Sequence, residues 1–214
     1  MDLSHARFYA ILDTGYVPRS RWSKVCRALI DGGADIIQMR AKTERASERR
    51  ALLAEILPLF DETRSATPPL VINDDIELAL SHPGLGLHVG QDDMPATEAR
   101  RLLGPDRILG LSTHSEEQAA AAIALGSGAL SYFAVGPVFA TQTKPGYRAV
   151  GLELVAHVAA TEPGIPFFCI GGINRGNVAQ VVAAGARRVV AVSDILCDPD
   201  PAAAVREMRA LLPP

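Results

Sequence analysis

Short apolar runs that read as β-strands recur eight times along this chain, and between them lie segments whose apolar positions repeat at helical spacing. The strand candidates are Phe8 to Leu12, Ile36 to Arg40, Leu70 to Asn73, Gly86 to Val89, Ile108 to Ser112, Tyr132 to Gly136, Phe167 to Ile170 and Val189 to Ser193. The helical stretches carry their own stop signals. Arg21 to Ile30 runs into Asp31-Gly32-Gly33, and Ser115 to Leu125 opens on Ser115-Glu116-Glu117-Gln118 and closes at Gly126. A second helix lines up Leu52, Leu53, Ile56, Leu57 and Phe60 until Pro58 kinks or ends it, and the last follows Asp198-Pro199-Asp200-Pro201 and stops at Leu212-Pro213-Pro214. Strands that alternate with helices must pair in parallel, because each helix returns the chain to the same edge of the sheet. Eight such units in 214 residues imply an α/β fold, a (β/α)8 TIM barrel forming a single domain over residues 1–214. A doubly wound open sheet is the alternative.

Strand parity predicts which side chains enter such a barrel, since alternate residues face the helices and should be apolar. In the second strand Ile37, Met39 and Ala41 form the apolar row, leaving Gln38, Arg40 and Lys42 to point inward. The same rule turns Asn73, His88 and Ser112 inward, opposite Ile72, Leu87, Val89, Leu109 and Leu111. Polar groups therefore converge at the carboxyl ends of strands two to five, the rim where barrels of this kind carry their chemistry.

Composition excludes several other classes. A formal charge of −3 and an aromatic content of 5% offer no basic, ring-bearing nucleic-acid surface. Cys26, Cys169 and Cys197 make neither a C-x-x-C pair nor an even framework, which implies reduced thiols and a cytoplasmic setting. No apolar run approaches the length of a membrane span, and the amino terminus lacks the basic and apolar regions of a leader, so no membrane partner is expected. A homo-oligomer is left open.

Two acidic signatures stand at the ends of neighbouring strands, Asn73-Asp74-Asp75 and Gly90-Gln91-Asp92-Asp93. Asp75 suits the cap of a helix over Ile76 to Leu80. Asp74 and Asp93 sit on strands spaced about 4.8 Å apart, near enough to share one octahedral Mg2+ whose other ligands are waters and phosphate oxygens. Arg40 and Lys42 need an anion to justify their place in a barrel mouth. Thr141-Gln142-Thr143-Lys144 adds two hydroxyls and another cation from a loop on the same rim. Gly171-Gly172 after strand seven, followed by a helix N-terminus, makes a backbone N–H cradle, and with Val192-Ser193-Asp194 after strand eight it marks the two loops between which barrels often hold a phosphate.

Taken in order, Gln38-Met39-Arg40-Ala41-Lys42, Asn73-Asp74-Asp75, His88-Val89-Gly90-Gln91-Asp92-Asp93, Ser112-Thr113-His114, Gly136-Pro137-Val138-Phe139-Ala140-Thr141-Gln142-Thr143-Lys144 and Ile170-Gly171-Gly172-Ile173 resemble the thiamine phosphate synthase family over essentially the whole chain. The resemblance implies a Mg2+-dependent transferase acting on two small molecules, the pyrophosphate ester of a hydroxymethyl-aminopyrimidine and a thiazole phosphate. It implies that Arg40, Lys42, Asn73 and Lys144 hold the pyrophosphate, and that Asp74 and Asp93 hold Mg2+. Gln38 and Ser112 would contact the pyrimidine with His88 in support, and Thr141, Thr143, Gly172, Val192 and Ser193 would surround the thiazole phosphate. Arg40, Lys42, Lys144 and Ser112 are the catalytic set it implies.

The chain departs from the family pattern at Ala41, Ala140 and Ser131, where an acidic residue, a proline and an acidic residue are common. Ala41 faces the helices by parity, so its change should matter little to chemistry. Two other readings stay open: a thiazole tautomerase or regulatory relative that moves protons with His114, and a phosphate-ligand sensor that binds without turnover. Dependence of turnover on Mg2+ separates the three.

Overall fold

The computed structural model describes residues 3–60, 67–141 and 148–214. Its strands are β1 (Phe8–Asp13), β2 (Ile36–Arg40), β3 (Leu70–Asn73), β4 (Gly86–Val89), β5 (Leu109–Thr113), β6 (Tyr132–Val135), β7 (Phe167–Cys169) and β8 (Val189–Ala191). They close in sequence order into a parallel barrel, with β8 returning to β1 through Phe8↔Val189 and Tyr9↔Val190. The TIM barrel expected from the alternation is therefore the fold, rather than the open sheet.

The helices are α1 (Trp22–Asp31), α2 (Ala46–Ile56), α3 (Ile76–Leu80), α4 (Ala96–Leu103), α5 (Glu116–Ala129), α6 (Gly151–Ala160), α7 (Val178–Ala183), α8 (Ser193–Leu196) and α9 (Pro201–Ala210). Local chemistry sets their ends. Ser115 accepts a hydrogen bond from the Gln118 amide at 3.2 Å to start α5, and Asp200 accepts one from Ala203 at 3.0 Å to start α9 with Pro201 in its first turn. Gly126, at φ 63°, breaks α5 near the residue where the sequence places its end. Pro58 converts the end of α2 into a 3-10 turn over Leu57–Phe60.

The core has two layers. Between strands and helices, Ile37, Met39, Leu87, Val89 and Leu109 are buried, and α1 buries Trp22, Val25, Cys26 and Leu29. Inside the barrel Tyr9, Tyr132 and Phe168 meet edge to face with centroids 5.4 to 5.6 Å apart. These rings plug the floor of the barrel and leave its upper half to polar side chains.

Two expectations need correcting. The eighth strand stops at Ala191, because Val192 (φ −119°, ψ −81°) has left the extended region and Ser193 begins the short α8. The glycines after strand seven do not lead straight into a helix: α7 begins only at Val178, after a turn in which Asn177 Oδ1 accepts from the Asn174 amide at 2.8 Å. No described helix is long and apolar enough to cross a membrane.

Candidate active site

A cavity open to solvent lies at the carboxyl ends of the strands. Gln38, Arg40, Asn73, His88 and Ser112 reach it from β2 to β5, and Thr141, Gly172, Val192 and Ser193 reach it from the half formed by β6 to β8. Parity explains the first group. It fails at Lys42, which lies beyond the last residue of β2, is 55% exposed and pairs with Asp74 at 3.2 Å instead of lining the cavity. Once the strand ends, the alternation no longer dictates direction. Thr143 and Lys144 lie outside the described residues.

Arg40 is held by a residue that the sequence did not single out. Asp13, at the end of β1 and 2% exposed, accepts from Arg40 Nη1 at 2.6 Å and from the Gly15 amide at 2.8 Å. The cation is thereby aimed and partly neutralised, since a buried charge needs a hydrogen-bonded partner.

After β3 and β4, outside the residues that line the cavity, Asp74 and Asp93 converge. Asp74 adopts a left-handed backbone at φ 60°, tolerated by aspartate at a cost of order 1 kcal/mol, with its amide bonded to the His88 carbonyl at 2.9 Å. Burial lifts its carboxyl above the ordinary carboxylate range, and the Asp93 carboxylate within hydrogen-bonding reach lifts it further, against the lowering effect of Lys42. Asp93 is itself oriented by the Gly90 amide, which donates to Oδ2 at 2.8 Å. Two facing carboxylates with one lysine paired to Asp74 are short of positive charge, and hard oxygen donors of this kind fit Mg2+. No cluster of three or more His, Cys, Asp or Glu side chains suited to a metal occurs among the described residues. Asp75 instead caps α3, accepting from Leu78 at 2.9 Å, and pairs with Arg49 at 2.8 Å.

Below these charges runs a chain of neutral hydrogen bonds. Gln38 Nε2 donates to the Tyr9 hydroxyl at 2.7 Å, Tyr9 meets Tyr132 at 2.8 Å, Tyr132 meets His88 Nδ1 at 2.9 Å, and His88 Nε2 meets Ser112 Oγ at 2.9 Å. Both phenols are buried, which pushes their ionisation far above the usual tyrosine range and keeps them protonated. Tyr9 and Tyr132 sit in apolar strands and read as core from sequence alone. His114 also lines the cavity, and its Nδ1 lies 2.5 Å from the Gly136 carbonyl.

The opposite wall is backbone. Gly172 sits at φ 64°, and a Cβ there would come 2.7 Å from the Ala140 carbonyl oxygen, so only glycine leaves this cradle its shape. Asn177 Nδ2 donates to the Gly172 carbonyl at 2.9 Å and steadies it. Arg175 ties the loop after β7 to the segment after β8, bonding Asp194 at 3.0 Å, Asp198 at 2.7 Å and Glu207 at 2.5 Å. Ser131, one of the family departures, accepts from the Leu109 amide at 3.1 Å, and Ala41, one residue past β2, is buried.

Comparison with known proteins agrees with this geometry. The family model described as thiamine monophosphate synthase matches residues 8–195. The thiamine-phosphate synthase of Arthrobacter sp. (strain FB24) is 43% identical over 232 aligned residues, covering 98% of this chain and 95% of that protein. That of Chloroflexus aurantiacus is 39% identical over 216, covering 99% and 96%. Among solved structures, the thiamine phosphate pyrophosphorylase from Pyrococcus furiosus superposes with a TM-score of 0.76 at 28% identity, covering 96% of this chain and 95% of its own. A 3-hexulose-6-phosphate synthase, at TM-score 0.68 and 17% identity, shares the fold alone. On the extent of the matched family model and the near full-length identity to these relatives, the chain belongs to the thiamine monophosphate synthase family.

Proposed function

We propose that this chain is a Mg2+-dependent thiamine phosphate synthase, which condenses 4-amino-2-methyl-5-(diphosphooxymethyl)pyrimidine with a thiazole phosphate and releases pyrophosphate. The observation that carries the reading is the meeting of Arg40, Asn73, Gln38 and Ser112 with the Gly172 and Ser193 backbone in one cavity of a family member. In this assignment Arg40, Lys42, Asn73 and Lys144 bind the pyrophosphate, and Gln38, Ser112 and His88 orient the pyrimidine. Thr141, Thr143, Gly172, Val192 and Ser193 take the thiazole phosphate.

The chemistry asks little of a nucleophilic side chain. An electron-rich aminopyrimidine tolerates positive charge on its exocyclic methylene, so the carbon–oxygen bond can break first, its electron pair leaving with the pyrophosphate. The thiazole nitrogen then donates its lone pair to that carbon, closing the new carbon–nitrogen bond with no proton to be moved. Arg40, fixed by Asp13, and the two lysines offset the charge gathering on the leaving group. The apolar walls at Ile11, Ile170 and Ile173 keep water from the methylene. Asp74 and Asp93 would hold Mg2+, which supplies charge neutralisation to the pyrophosphate when bound.

Purified protein, both substrates and Mg2+ should yield thiamine phosphate, read as fluorescent thiochrome after oxidation, and EDTA should abolish the signal. Asp93→Ala should lower kcat by about 10²–10³-fold with the fold intact by circular dichroism. Near-normal turnover in EDTA, or by Asp93→Ala at low Mg2+, would refute the metal assignment. Isomerisation of a thiazole without Mg2+ would favour the tautomerase reading with His114, and binding without turnover the sensor.

A further inference from the structure

The chain of hydrogen bonds beneath the cavity has a direction, and that direction assigns a task to a residue outside the substrate contacts. An amide nitrogen only donates, so the Tyr9 oxygen accepts from Gln38 Nε2 and must place its own proton on Tyr132, its one other partner among the described residues. The Tyr132 oxygen is then an acceptor toward Tyr9, and its proton has His88 Nδ1 to go to at 2.9 Å. A ring nitrogen that accepts is unprotonated, so a neutral His88 carries its proton on Nε2 and donates it to Ser112 Oγ. The reverse order would leave two protons facing each other between Gln38 and Tyr9, both buried.

We propose that Tyr132 is a positioning residue for the synthase reaction: by holding His88 in the Nε2-protonated form, it makes Ser112 an acceptor below and a proton donor toward the pyrimidine substrate above. The proposal rests on the synthase reading of the cavity. The room for this contact is built into the fold. A Cβ on Gly110 would lie 2.2 Å from Tyr132 Cζ and 2.6 Å from His88 Nδ1, so the barrel carries glycine where the ring and the imidazole meet. The two rings lie nearly parallel, 23° apart with centroids at 5.6 Å, which keeps the hydroxyl beside Nδ1. High phenol ionisation ranges keep both tyrosines donors at working pH.

The test reads the tautomer directly. Long-range proton–nitrogen spectra of the protein labelled with 15N-histidine, with His88 assigned by the signals lost in His88→Asn, should show an unprotonated Nδ1 and a protonated Nε2. Tyr132→Phe preserves the ring and removes only the donor, and should move His88 toward the Nδ1-protonated form, which then captures the Ser112 proton. Tyr9→Phe leaves the Tyr132 proton in place and should leave the His88 signals in the Nε2-protonated pattern. In turnover, Tyr132→Phe should lower kcat by about 10- to 100-fold, while the double variant with Ser112→Ala should be within about twofold of Ser112→Ala alone. A protonated Nδ1 in the unaltered enzyme, an unchanged tautomer in Tyr132→Phe, or additive losses in the double variant would overturn the proposal. Absence of turnover in the unaltered enzyme would instead overturn the synthase reading, and the spectra would still decide the direction of the chain.

Discussion

Removing the Asp13 carboxylate tests how the cavity tolerates its own cation. Asp13 is 2% exposed and the Arg40 side chain 13%, and the two meet at 2.6 Å. Asp13→Ala deletes that bond and the one from the Gly15 amide, and leaves a guanidinium without its carboxylate in a largely dry site. Breaking a buried pair this way typically costs about 3–5 kcal/mol, and because Arg40 still reaches the cavity the lower end, about 3 kcal/mol, is expected. At roughly 2–4 °C per kcal/mol for a domain of this size, Tm should fall by about 6–12 °C. Asp13→Asn, which keeps an acceptor for the Gly15 amide, should lose about half as much. The internal control is Glu98→Ala, whose pair with Arg101 is 3.9 Å long with side chains 51% and 72% exposed, and which should cost under about 1 kcal/mol. Thermal and urea unfolding of the three variants decide the matter. If Asp13→Ala matches Glu98→Ala, burial of this pair is not what gives it value and the account of Arg40 fails.

Gly172→Ala should raise KM for the thiazole phosphate at least tenfold while leaving KM for the pyrimidine substrate near its original value, since the added methyl would press on the Ala140 carbonyl and deform the cradle; equal effects on both substrates would refute that division of the cavity. The thiols offer a separate check. Burial pushes the Cys26 thiol up to about 12 and Cys169 higher still, whereas Cys197 is exposed. At pH 8 a disulfide reagent should therefore titrate one thiol in the native protein and three in guanidinium, and rapid native reaction of a second thiol would show the barrel to be looser than described.

What the sequence made legible follows from repetition. Strands β2, β3 and β4 occupy the expected residues, and parity alone brings Gln38, Arg40, Asn73, His88 and Ser112 to the cavity. Periodicity works only while the period lasts, which is why it does not govern Lys42, two residues past β2, and why the strand signal runs on through Val192 to Ser193, the first residue of a four-residue helix. Asp13 was invisible for another reason: a single aspartate at a strand end has the look of a turn residue, and its partner lies 27 positions away. Tyr9 and Tyr132 were hidden by their own rings, since a phenol in an apolar strand gives no sign that its hydroxyl is spoken for. The pairing of Asp74 with Asp93 was readable because both follow adjacent strands.

Closure of the sheet between β1 and β8 has a consequence for how the molecule comes into being. Phe8 and Tyr9 hydrogen-bond along an edge whose counterpart, Val189 and Val190, is made some 180 residues later. Until that segment has left the ribosome, β1 and β7 each present an unpaired backbone to the cell, and the nascent chain is an open, sticky sheet. Dependence on chaperones during synthesis should accordingly end when the last strand emerges, and not gradually before it.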